Sequence, residues 1–156
     1  MKNKLLIGAI AGFAATIPMT ILMVEWHRHL PRKERYPLPP REIFDELAHR
    51  AAIDDDLSEA QKTNFSLAGH FAYGALTGAL YAPIMLGHER RRSSALSGAI
   101  YGAAVWGASY LGWLPAFKIL KPATVHPARR VILMTSAHLL WGSALGIIAR
   151  EIIDND

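Results

Sequence analysis

Two histidines carry most of the chemistry this sequence offers. His70 and His138 each open the same spaced pattern: an aromatic three residues on, a glycine four on and a second glycine eight on. His70, Tyr73, Gly74 and Gly78 form one copy, inside GHFAYGALTGALYA (69–82); His138, Trp141, Gly142 and Gly146 form the other, inside AHLLWGSALGIIA (137–149). Neither histidine has an Asp, Glu, Lys or Arg close by in sequence. Neutral imidazoles in such surroundings suit four roles. They can bind haem iron axially, share a divalent metal, relay a proton, or hydrogen-bond a neighbouring helix. Thr77, Ser109, Thr135 and Ser136 are candidate partners for that last, structural role. A cofactor-binding assignment therefore rests on His70 and His138, with haem or a divalent metal as the cofactor; the structural reading needs no cofactor. No metal ligand set is assigned, since the nearest carboxylate, Glu25, closes a different apolar stretch. No Ser-His-Asp order, Gly-rich phosphate loop or carboxylate pair in a plausible pocket occurs, and Asp54–Asp56 reads as an acidic run at a helix start, so no catalytic residue is assigned and an enzyme is not the expected class.

The elements that position these histidines follow from charge. Four stretches carry no Asp, Glu, Lys or Arg: Leu5–Val24, Phe65–His88, Ser93–Phe117 and Val131–Ala149. A helix needs about 20 apolar residues to cross a bilayer. The expectation is an all-α, four-span transmembrane bundle forming one domain over 1–156, with spans at about 5–26, 64–87, 94–115 and 130–150. The first stretch is longer than a signal-peptide core and lacks a cleavage site with a polar start beyond it, so it is expected to stay in the chain. The chain has no cysteine, which removes disulfides and thiolate chemistry together.

Between the first two stretches, WHRHLPRKERYPLPP carries prolines at 31, 37, 39 and 40 and reads as extended. REIFDELAHRAA follows, with Ile43, Phe44, Leu47 and Ala51 at helical spacing, and predicts a short amphipathic interfacial helix at about 40–52. Ser58 with Gln61 is a capping-box spacing, so the next helix is expected to start in water near Ser58.

Each span carries one Gly-x-x-x-Gly: Gly8/Gly12, Gly74/Gly78, Gly98/Gly102 and Gly142/Gly146, together eight of twelve glycines. Helices in lipid associate through close backbone contact, which glycine permits. These eight are the expected helix-packing residues. The halves echo each other, since GAIAGFAA opens the first span and GAIYGAAV the third. A duplicated, parallel helical hairpin accounts for both echoes. Residues i, i+4 and i+8 share one helix face, so each histidine is expected to face the packed interior beside its glycines. Both then lie roughly 8–10 Å deep.

The chain has 17 Lys and Arg against 13 Asp and Glu. This excess reads as cations flanking a membrane. ERRR (89–92) sits in a turn too short for a nucleic-acid surface, so the bilayer is the expected partner. Another membrane protein or a second copy of the chain is compatible with such a bundle. Six of the seventeen cations fall on the side of the termini, and a plain Lys/Arg count puts that side outside.

PLPPR (37–41) after a first span, Gly69–His70 in the second, and HLLW with AREII at the end together resemble the YagU-type family of small bacterial inner-membrane proteins. The resemblance covers most of the chain in order. It implies an inner-membrane location with cytoplasmic termini, opposite to the raw count, and no particular activity. The functional expectation is a non-enzymatic packing, interaction or minor transport protein; the alternative is a haem- or metal-binding redox protein using His70 and His138.

Overall fold

A computed structural model of the chain describes residues 3–85 and 94–155; the arginine-rich turn, with His88, and the C-terminal Asp156 lie outside them. Among the described residues all regular structure is helical.

Helix α1 (Lys4–Arg28) is capped by Asn3, whose side-chain oxygen accepts the Leu6 N–H at 3.2 Å. It ends just before Pro31. Helix α2 (Pro39–Arg50) opens with two prolines, at positions where a missing N–H costs no helical bond. It closes with Ala52 in the left-handed region at φ 55°. Helix α3 (Glu59–Met85) opens on a reciprocal cap: the Ser58 N–H donates to Gln61 Oε1 at 2.9 Å and the Gln61 N–H to Ser58 Oγ at 3.3 Å.

The third charge-free stretch is not one regular helix, contrary to the span drawn over 94–115. Helix α4 (Ser94–Gly107) passes into a π-helical segment, Ala108–Trp113, and then a single turn, α5 (Leu114–Ala116). Gly112, at φ −109° and ψ −107°, breaks the helical backbone. Extra residues in a π segment turn side chains to faces that an α-helix would not reach. Helix α6 (Ala128–Asn155) completes the chain.

Among the described residues two helices, α1 and α6, have both the length and the apolar character to cross a membrane. The α3 and α4 segments place more Ser, Thr, Tyr and Gly among their apolar residues.

The packing order is α3, α1, α6, α4. Helix α1 lies along α3, α6 lies along α4, and α1 and α6 join the two pairs; α3 and α4 hardly touch. The interior is small and partly polar, with Thr16, Ser94, Ser109 and His138 buried alongside alanines and glycines. Large apolar side chains point outward instead. Ile10, Phe13, Ile17 and Ile21 do so on α1, Leu76, Leu80 and Ile84 on α3, Leu96 and Ile100 on α4, and Ile132 and Ile147 on α6. A water-soluble monomer rarely displays so much contiguous apolar surface.

Candidate functional site: a cavity shared by two histidines

The histidines are set in place by two glycine seams. On α1 and α3 a side chain at Gly12 would meet the Gly74 carbonyl and stand 2.9 Å from the Gly78 Cα, while one at Gly8 would meet the Gly78 carbonyl. On α4 and α6 a side chain at Gly98 would meet the Gly142 carbonyl, and one at Gly142 would stand 2.9 Å from the Gly102 Cα. Backbone therefore touches backbone in both pairs, and no larger residue fits without parting the helices.

The pairs are not exact copies. Gly8 faces Gly78, but Gly98, which stands where Gly8 does in the first half, faces Gly142. Gly146 faces Ser94 instead. The second pair is slid by one turn, roughly 6 Å along the axis. The slide seats Gly102 against the backbone carbonyl of His138.

Between the two pairs lies a cavity of about 260 Å³, and both His70 and His138 line it. The gap between α3 and α4 is crossed by tyrosines rather than closed by backbone. Tyr73 and Ser109 share a hydrogen bond at 2.9 Å, Tyr101 donates to the Thr77 carbonyl at 2.7 Å, and Tyr81 meets Ser97 at 3.0 Å. The π segment borders the same space, contributing Ser109 and Tyr110 to the lining. From above, α2 covers it with Ile43, Phe44 and Leu47.

The histidines differ in their bonding. His138 is buried, and its Nδ1 donates to the Met134 carbonyl one turn back at 2.8 Å. Its ring meets Tyr110 edge-on, with centroids 6.0 Å apart. His70 Nε2 is buried and has no hydrogen-bond partner among the described residues. None of the four expected hydroxyl partners serves either ring. Ser109 pairs with Tyr73, Thr77 bonds carbonyls of its own helix, Thr135 bonds the Val131 carbonyl, and Ser136 makes no bond to a histidine. Short hydroxyls on a helix find their own i−4 carbonyls first. Of the two aromatics in the repeated pattern, Tyr73 reaches across to Ser109, and Trp141 donates its indole N–H to the Gly12 carbonyl at 3.2 Å. Among the described residues no group of three His, Asp or Glu side chains is placed to hold a metal ion.

Above the cavity, Arg130 organises the loops, a role its sequence position does not reveal. It is 3% exposed. Its guanidinium donates to the carbonyls of Glu34, Tyr36 and Pro37 at 2.8–3.1 Å, stacks 3.5 Å over the Tyr36 ring, and stands 3.7 Å from the Glu42 carboxylate. Burial raises the Glu42 carboxyl above its ordinary range, although Arg130 pulls the other way. Tyr36 in turn donates to His126 Nδ1 at 2.6 Å, and His126 Nε2 donates to the Lys121 carbonyl at 3.2 Å. Burial lowers His126 below its ordinary value. Arg50 ties α2 to the carbonyls of Phe117 and Lys118 at 3.0 and 2.8 Å. These contacts bridge residues far apart in sequence, so no local pattern announces them. The two proline-rich connections thus form a single cap at one end of the bundle, with α2 as its underside.

In comparisons with protein-family models, curated proteins and solved structures, nothing matches this chain.

Proposed function

We propose that the chain is a non-enzymatic, four-span protein of a bacterial inner membrane that holds a small molecule in the cavity between its two hairpins, as a binding or minor transport protein. The carrying observation is that the two histidines of the repeated pattern line one cavity. An intramembrane ionisable side chain is costly and points to function by default. The outward rows of Ile, Leu and Phe on α1, α3, α4 and α6 support four spans, including the two segments of weaker hydropathy. Cytoplasmic termini follow the resemblance to the YagU-type family. The opposing Lys/Arg count is weakened because Arg41, Arg50 and Arg130 are engaged in ion pairs within the cap.

Because the chain has no cysteine, topology can be tested with single introduced ones. Asp55→Cys is expected to react with an impermeant thiol reagent added to the periplasmic side, and Asp154→Cys only after the membrane is opened. Native mass spectrometry of protein released from its own membranes tests the cavity. A bound small molecule on the wild type, lost in Gly69→Leu, is the expected result. A Soret band or a stoichiometric metal in the purified protein would replace this reading with the haem or metal alternative.

A further inference from the structure

We infer that the ligand of this cavity is a neutral, membrane-soluble molecule bearing a hydroxyl group, a long-chain alcohol or an alkylphenol. The inference rests on the reading just given, that the cavity holds a small molecule.

Hydrogen-bond direction carries the argument. The Met134 carbonyl can only accept, so the 2.8 Å contact to it fixes the proton of His138 on Nδ1. With a neutral ring, Nε2 of His138 is then an acceptor and can be satisfied only by a donor. A carbonyl, ester or ether supplies none; a hydroxyl does. His70 is the second half of the site. Its Nε2 is buried in the wall and has no partner among the described residues, an arrangement rare in folded proteins. It borders the same cavity as His138, so a hydroxyl held by His138 lies in the space that both rings line. An O–H group therefore satisfies His138 Nε2, as a ketone or quinone cannot.

Charge narrows the class further. Among the described residues no Asp, Glu, Lys or Arg lines the cavity, so an anionic or cationic head would be buried without a counter-ion. The walls are apolar and adaptable, with Met19, Met23, Met134, Phe65 and Leu114 among them. A volume of about 260 Å³ admits a ring or the first part of a single chain, below the usual ~300–1,000 Å³ of drug-sized sites. Entry is from the side. Gly69 lines the cavity where a side chain would meet nothing within 4 Å, next to the gap that Tyr73 and Ser109 span.

The test uses the full chain in lipid nanodiscs, read by tryptophan fluorescence, since Trp113 and Trp141 line the cavity. 1-Dodecanol, 4-nonylphenol, dodecyl methyl ether and laurate at pH 9 are titrated as mole fractions of the bilayer. A saturable change in tryptophan emission with the alcohol or the phenol is expected, whichever is tighter identifying the source. The ether and laurate should bind at least tenfold more weakly. His70→Phe and Gly69→Leu should each weaken alcohol binding at least tenfold while melting within a few degrees of wild type. Ether binding as tight as alcohol overturns the hydroxyl assignment; if Gly69→Leu still abolishes it, the cavity reading survives. Alcohol binding unchanged in both variants overturns the site. Absence of saturable binding by all four probes overturns both readings together.

Discussion

The indole N–H of Trp141 on α6 donates to the carbonyl oxygen of Gly12 on α1, 3.2 Å away. This bond joins the glycine seam of one hairpin to the histidine-bearing helix of the other. The same carbonyl also accepts the Thr16 hydroxyl at 2.8 Å, so it is doubly satisfied. Trp141→Phe removes one donor, keeps most of the ring and leaves no orphan acceptor. The expected loss is about 1 kcal/mol, in the range of interhelical hydrogen bonds in membranes. Reversible unfolding in mixed micelles measures it, and a loss above about 3 kcal/mol would mean that the bond does more than fasten the hairpins.

Glycine substitutions should divide by position rather than by helix. Gly142→Ala and Gly78→Ala place a methyl against backbone, with Gly102 Cα at 2.9 Å and Gly12 Cα at 2.7 Å, and backbone cannot swing aside. Each should destabilise by about 1–3 kcal/mol, and leucine by more. Gly69→Ala meets open space and should be neutral or stabilising, because alanine is the better helix former by up to about 1 kcal/mol. Equal melting temperatures for Gly69→Ala and Gly142→Ala would remove the seam as the basis of packing.

Arg130 should tolerate no substitution. Removing a buried guanidinium that serves three carbonyls and one carboxylate takes a donor from each, with only the Tyr36 carbonyl still held by His27, and Arg130→Ala should cost about 3–5 kcal/mol. Arg130→Lys should recover only part of this, since an ammonium cannot reproduce the planar fork or stack on Tyr36. Hydrogen exchange at residues 31–38 should rise in both variants. Protection equal to wild type in Arg130→Lys would show that charge alone holds the cap.

Acid should loosen the cap through His126. Burial, with Arg130 and Lys121 nearby, holds this imidazole below its ordinary 6.5, so the folded protein binds the proton less readily than the unfolded chain. Its contribution is present above about 6.5 and is lost as pH falls through the lowered folded value. Tyr36 donates to Nδ1 and must reverse that bond when the ring is protonated. Protection of the 31–38 amides, taken relative to the intrinsic exchange rate at each pH, should fall between pH 7 and pH 5, and His126→Gln should flatten that dependence. An unchanged slope in the variant would assign the effect to another group.

The sequence by itself determined the helices. Charge-free stretches of helical length and a Ser58–Gln61 cap leave the backbone little alternative in an apolar medium, where its polar groups must pair within the segment. It also determined the glycine spacing, since every fourth residue shares a face. What sequence did not contain was the register between helices. A one-turn slide still sets each glycine against backbone, so Gly98 on Gly142 and Gly98 on Gly146 are equally well written in the repeat. Only packing decided between them. The π segment escaped for a related reason: a single extra residue per turn leaves hydropathy unchanged yet directs Ser109 and Tyr110 to the cavity. Arg130 escaped because its three carbonyl partners lie 93 to 96 residues away, and backbone carbonyls are common to every sequence. That both histidines line one void is likewise a tertiary fact. Spacing fixed the face each ring occupies; the gap between α3 and α4, held open by tyrosines, decided that those faces would enclose space rather than close upon each other.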